Sequence, residues 1–116
     1  MTRNWQDMEL LRVFLGTSDH VAGESAADAL LRHAKAAGLQ GGTVLQGVAG
    51  FGQHAVLHRP GLFRLSPNLP VVVEFVDDAG RIEAFVPTVM TLLRGGGLVT
   101  RERLRALRGG EDRHDV

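Results

Sequence analysis

The 116 residues suffice for one domain with a buried core, and 44% hydrophobic beside 22% charged residues is ordinary for a soluble globular chain. Thirteen basic residues balance thirteen acidic ones, so the cationic excess that drives nucleic-acid binding is missing and no nucleic-acid partner is expected. With no cysteine, no membrane-length apolar run and no secretory signal in "MTRNWQDMELL", the chain is expected in the cytoplasm, without disulfides or thiolate metal sites.

The first apolar run, Leu10 to Leu15, reads as a strand. Leu11, Val13 and Leu15 share one face, and Leu10, Arg12 and Phe14 the other. "GTSDHVAG" (16–23) reads as a loop of turn formers. "ESAADALLRHAKAAG" is a helix: Ser25 with Asp28 resembles a capping box, Ala26, Leu30, Ala34 and Ala37 recur at helical spacing, and Gly38 fits a C-terminal cap. A second strand is predicted over 41–52, loosened by glycines at its end. "QHAVLHRPGLFRLSPN" (53–68) mixes β-formers with Pro60, Gly61 and Pro67, and reads as a long hairpin or loop.

"LPVVVEFVDD" is the clearest strand, with Val71, Val73 and Phe75 on one face and Val72, Glu74 and Val76 on the other. A second helix follows on Ile82, Phe85, Val86, Val89 and Leu93, with Pro87 expected to kink or restart it. Gly95 to Gly97 end that helix, and "LVTRERLRAL" alternates as a fourth strand. The order β-α-β-β-α-β predicts an α+β, ferredoxin-like domain: an antiparallel sheet with both helices on one face. The expected bounds are 8–108, with flexible termini at 1–7 and 109–116. Two helices cannot cover both faces, so Leu10, Phe14, Val72 and Val76 are left on an open, apolar side of the kind that marks an oligomer interface. A one-residue slip of register would instead send them to the core.

The stretch "VAGFGQH" (48–54) carries the main functional question. As a phosphate motif, "GVAGFG" reverses the dinucleotide fingerprint and opens no helix. As an RNA-binding motif, it lacks aromatics at Gln53 and Val56 and sits on the wrong strand. As structure, Gly47, Gly50 and Gly52 permit positive φ and a bulge where a strand bends into a loop.

Catalytic chemistry finds little to stand on. Ser18, Ser25 and Ser66 lie in no nucleophile elbow, and Asp77 with Asp78 reads as a solvated turn. His54 and His58 could share a strand face, but two histidines make no complete metal site; His20, His33 and His114 are scattered. Arg101, Arg103, Arg105 and Arg108 stand against one carboxylate, Glu102, which suits either phosphate contacts or a solvated face. No enzyme activity is expected.

The motifs "LRVFLGTSDH", "ALLRHAKAAGLQGGTVLQGVAGFG", "LHRPGLFRLSPNLPVVVEFVD", "RIEAFVPTVMTLL" and "GGLVT" resemble, in order and spacing, the PII-like family of domain of unknown function 190. The resemblance runs from about Leu10 to Thr100. It implies a homotrimer of ferredoxin-like subunits acting in signalling, with no cofactor. A small anionic effector, typically an adenine nucleotide, would bind in clefts between subunits. The loop after the second strand, the T-loop, would dock on a partner such as a membrane transporter or channel.

Position by position against the PII proteins that this family resembles in fold, Gly50, Phe51 and Gly52 match the T-loop base, while Gln53 and His54 stand where Arg and Gln are found. Gly95, Gly96 and Gly97 keep the glycine-rich loop, but Leu98 replaces its lysine. Arg108, Gly110 and Glu111 keep part of the C-terminal arginine run, whose first Arg is lost; Arg105 stands one residue before it. The implied effector site is Gly50, Gly52, Gln53, Gly95, Gly96, Gly97, Arg105 and Arg108. The implied docking loop is His54, Leu57, His58, Arg59, Leu62, Phe63 and Arg64. Each lost cation removes a charge-assisted hydrogen bond worth ~1.5–3 kcal/mol, so a triphosphate would be held less firmly, and a monophosphate, a cyclic nucleotide or another anion stays open. Two other readings stay open: a ligand-free protein docking on a transporter, and a metal-binding trimer like the ferredoxin-like copper-tolerance proteins.

Overall fold

The computed structural model describes residues 4–52 and 68–109. Its elements are β1 (Gln6–Gly16), β2 (His20–Val21), β3 (Glu24–Ser25), α1 (Ala26–Ala36), β4 (Thr43–Gln46), β5 (Pro70–Asp77), α2 (Ala79–Leu93) and β6 (Leu98–Ala106). The four longer strands form one antiparallel sheet in the order β4-β5-β1-β6, the ferredoxin-like arrangement.

Register decides which residues are buried. Leu11 pairs with Phe75, Val13 with Val73 and Leu15 with Val71. These side chains meet Leu30 and Ala34 of α1 and Ile82, Phe85 and Val89 of α2 in a single core. Phe75 and Phe85 touch edge to face, with centroids 5.4 Å apart. The alternate residues pair as Leu10 with Val76, Arg12 with Glu74 and Phe14 with Val72, so they occupy the other face as the unslipped pattern requires. No described element covers that face, and it leaves Phe14 37%, Val76 40% and Leu98 59% exposed.

Helix α1 starts and stops where its sequence signals lie. Ser25 Oγ accepts from the Asp28 N–H at 3.1 Å. At the other end, Gly38 takes φ +88°, its N–H reaches the Lys35 carbonyl, and the Leu39 N–H reaches that of Ala34. That double closure is the Schellman motif, with Leu39 packed on the core. Helix α2 is capped by Asp78 Oδ1, which accepts from the Arg81 N–H at 2.8 Å.

Several expectations need correction. Helix α2 runs through Pro87 without restarting. Pro87 and Glu83, whose carbonyl loses its donor, both lie on the exposed side, where water can replace that bond. The predicted loop 16–23 contributes β2 to a small hairpin, because Ala22 and Gly23 both take positive φ (49° and 87°), as a two-residue type I′ turn requires. Strand β1 begins at Gln6, before the apolar run, because its polar start pairs with the far end of β6: Gln6 with Ala106 and Asp7 with Arg105.

The hairpin is fastened to α1 by Arg32, which donates to Glu24 Oε2 at 2.6 Å and holds that carboxyl below the usual carboxylate range. A depressed carboxyl favours the folded state above the unfolded chain's pKa, and that contribution is lost as pH falls through the lower native value. In an NMR pH titration Glu24 should titrate below the ordinary range, and Arg32→Ala should return it there. Identical titration in both proteins would mean that the pair does not form in solution.

Candidate functional site

Strand β4 stops at Gln46, short of the predicted 41–52, although the Gly47 N–H still reaches the Pro70 carbonyl at 2.7 Å. The glycines beyond it answer to packing. A Cβ on Gly47 would lie 2.7 Å from Pro70 Cγ, and one on Gly50 would lie 3.1 Å from it. Neither these two nor Gly52 takes the positive φ that their sequence permits. They let the chain leave the sheet pressed against the proline ring that starts β5. Val48 (73%) and Phe51 (77%) then stand out in solvent.

The second glycine segment does need its conformations. Arg94 ends α2 in the left-handed region, and Gly95 and Gly97 follow at φ +84° and +74°. A Cβ on Gly97 would lie 2.9 Å from the Phe14 carbonyl oxygen, so the loop lies directly on β1. Leu98 pairs with Phe14 and joins the open apolar face.

Register places both glycine segments at one end of the sheet: Gln46 lies beside Val71 and Leu15, and Leu98 beside Phe14. They lie on opposite edges, three strand spacings or about 14 Å apart. Arg105 is at the other end of β6, seven residues beyond Leu98, or about 24 Å along the strand. Arg108, just past that end, bonds to the Gln40 side chain. One chain therefore does not gather Gly50, Gly52, Gly95, Gly96, Gly97, Arg105 and Arg108 into one site. Gln53 and the loop residues His54, Leu57, His58, Arg59, Leu62, Phe63 and Arg64 lie outside the described residues. Among the described residues no group of three metal-ligating side chains comes together.

Asp77 overturns its sequence reading. It is 1% exposed and forms no solvated turn. Its Oδ2 accepts from the Gln40 N–H at 2.9 Å; its Oδ1 accepts from the Asp78 N–H at 2.8 Å and from Arg81 Nη1 at 3.3 Å. A buried carboxylate so partnered ties the α1–β4 connection to the start of α2. The alternation of β5 held the signal, since Asp77 continues the inward series of Val71, Val73 and Phe75.

The open face has a polar centre that pattern reading missed. Arg12 Nε donates to Glu74 Oε2 at 2.8 Å, and its Nη1 to Glu102 Oε1 at 2.9 Å. Hydrogen bonding to Glu74 leads the effects that raise the pKa of this guanidinium above its usual value. Phe14, Val72, Leu45 and Leu98 lie to one side of this row, and Leu10, Val76, Met8 and Leu104 to the other. The available sequence signal was alternation of the three charged positions with apolar ones on three different strands.

The two kinds of glycine should respond differently to a methyl group. Gly97→Ala should lower stability by ~1–3 kcal/mol through its positive φ and its contact with β1, while Gly52→Ala should stay within ~0.5 kcal/mol. Denaturant unfolding of both variants checks this, and equal losses would contradict the geometry.

Comparison with known proteins fits this geometry. The chain is 33% identical to a UPF0166 protein of Aquifex aeolicus (strain VF5) over 99 residues, covering 85% of this chain and 92% of that one. Its fold is similar to that of CPII from Thiomonas intermedia K12 bound to ADP and bicarbonate, with TM-score 0.64, 16% identity and coverage of 92% and 95% of the two chains. It is also similar to the Bacillus subtilis GlnK–ATP complex, with TM-score 0.57, 10% identity and coverage of 84% and 82%. The fold is thus PII-like and ferredoxin-like. Residues 8–106 match the DUF190 family, described as "Uncharacterized ACR, COG1993", and the chain belongs to that family.

Proposed function

We propose that this protein is a PII-like signalling trimer that senses a small anionic effector, an adenine nucleotide, in clefts between subunits. It acts on a partner through the loop after β4 and is not an enzyme. The observation that carries this reading is the placement of the two glycine segments. They occupy the same end of the sheet but opposite edges, and Arg105 lies at the far end. A second copy is what brings one edge to the other, so a ligand using both segments binds between copies.

The open face supplies the contact. Its exposed apolar residues flank the Arg12–Glu74–Glu102 row, and covering them removes apolar surface from water at about 25 cal/mol per Å². An ion row inside an apolar surround also penalises misregistered docking, because a shifted copy would bury its charges unpaired. The nucleotide class is supported by the similar folds solved with ADP and with ATP. Those likenesses carry fold, so the choice of nucleotide rests on binding.

Val48 and Phe51 favour a second reading, in which the loop base docks on a membrane transporter or channel with no small ligand. Calorimetric titration with AMP, ADP, ATP and cyclic AMP separates the two. The sensor reading expects saturable binding near one nucleotide per subunit. No heat with any of the four would reject it and leave the docking reading.

A further inference from the structure

The two glycine segments are far apart, but the sheet end between them is closely filled. Gly47 and Gly50 press on the ring of Pro70, and the Gly47 N–H reaches the Pro70 carbonyl. Pro70 pairs with Gly16, the last residue of β1. From the opposite edge, Gly97 lies against the same strand end. A Cβ on Gly97 would meet the Phe14 carbonyl oxygen at 2.9 Å and Leu15 Cδ2 at 3.2 Å. The end of β1 therefore has the Gly95–Gly97 loop on one flank and residues 68–70 on the other.

Asn68 and Leu69, the first described residues after the loop that follows β4, are fastened to this strand end. Asn68 Oδ1 accepts from the Ser18 N–H at 3.2 Å. The Leu69 N–H donates to Thr17 Oγ1 at 2.9 Å, and the Leu69 carbonyl accepts from the Thr17 N–H at 2.9 Å. Asn68 Oδ1 also fills the space that a Cβ on Gly16 would need, so it is seated there only because position 16 is glycine. Asp19 braces the notch from behind: its Oδ2 accepts from the Gly16 N–H at 2.8 Å, and its own N–H reaches the Gly16 carbonyl at 3.1 Å. A side chain seated in such a notch is either in it or out of it, because close-packed contacts do not deform smoothly. Gly16 follows Phe14 and Leu15 directly, so a shift of these two under the Gly97 loop moves the notch.

We propose that Phe14 to Thr17 form a strut that carries the position of the Gly95–Gly97 loop to the foot of the loop after β4, with Asn68, seated on Gly16, as the positioning residue. The strut rests on the nucleotide-sensor reading for its ligand. A ligand that fixes the glycine loop holds Asn68 in its notch, and the docking loop then rejoins the sheet at a fixed point. A ligand that displaces the glycine loop releases it.

Amide hydrogen exchange on the full-length protein tests the strut at the Ser18 and Leu69 N–H groups. Gly97→Ala pushes a methyl group onto the Phe14 carbonyl. Gly38→Ala is the matched control, since Gly38 also takes positive φ (+88°) but has nothing within 4 Å of the added methyl group. Gly97→Ala is expected to speed exchange at Ser18 and Leu69 about fivefold or more beyond the effect of Gly38→Ala. ADP, added to the unaltered protein with its heat of binding followed in parallel, is expected to change the exchange of both amides. Asn68→Ala is expected to abolish that response at Leu69. Equal exchange in the two glycine variants overturns the strut. So does ADP that binds with heat and leaves Ser18 and Leu69 unchanged, an outcome under which the sensor reading survives. If no nucleotide gives heat, the sensor reading fails, and the comparison of the two glycine variants alone decides the strut.

Discussion

The register between β1 and β5 is the constraint on which the other features depend. Two helices cover one face of a four-stranded sheet, so every residue of the central strands is committed to a helix-covered or an open side. Pairing Leu11 with Phe75 and Val13 with Val73 puts five inward residues of β1 and β5 under the helices. A slip of one residue would bury Arg12 and Glu74 there and expose Phe75, exchanging core for charge. The same register therefore builds the core and leaves the opposite side apolar around an ion row.

From that choice the two ends of the sheet acquire different characters. At one end, backbone close to neighbouring atoms demands glycine: Gly47 and Gly50 against Pro70, Gly97 against β1. At the other, the tethers are charged or polar: Asp77 holds Gln40 and Arg81, Arg108 reaches Gln40, and Trp5 lies beneath Arg105. No single chain joins the two ends.

Much of the fold was legible because its signals are local. Alternation in β5, the Ser25 cap and the glycine after α1 are each written within a few residues. Misreadings came where a distant residue decides. Gly47 and Gly50 were read as places for positive φ, because Pro70, twenty residues on, is what excludes a side chain there. Asp77 looked solvated because its neighbour Asp78 is; the donors that make its burial tolerable come from Gln40 and Arg81. Gln6 and Asp7 looked too polar for a strand, and their partners lie a hundred residues away. The candidate site was harder still. Family resemblance named glycines and arginines, but their separation along and across the sheet is a three-dimensional fact.

The account stands or falls on whether the open sheet face joins copies of the chain. Light scattering on the purified full-length protein, at low and high salt, measures this most directly. The account predicts a mass three times 12.5 kDa at both salt concentrations, because apolar contact and not surface charge holds the copies. A stable 12.5 kDa monomer would leave the open face uncovered and the two glycine edges apart, and would contradict it.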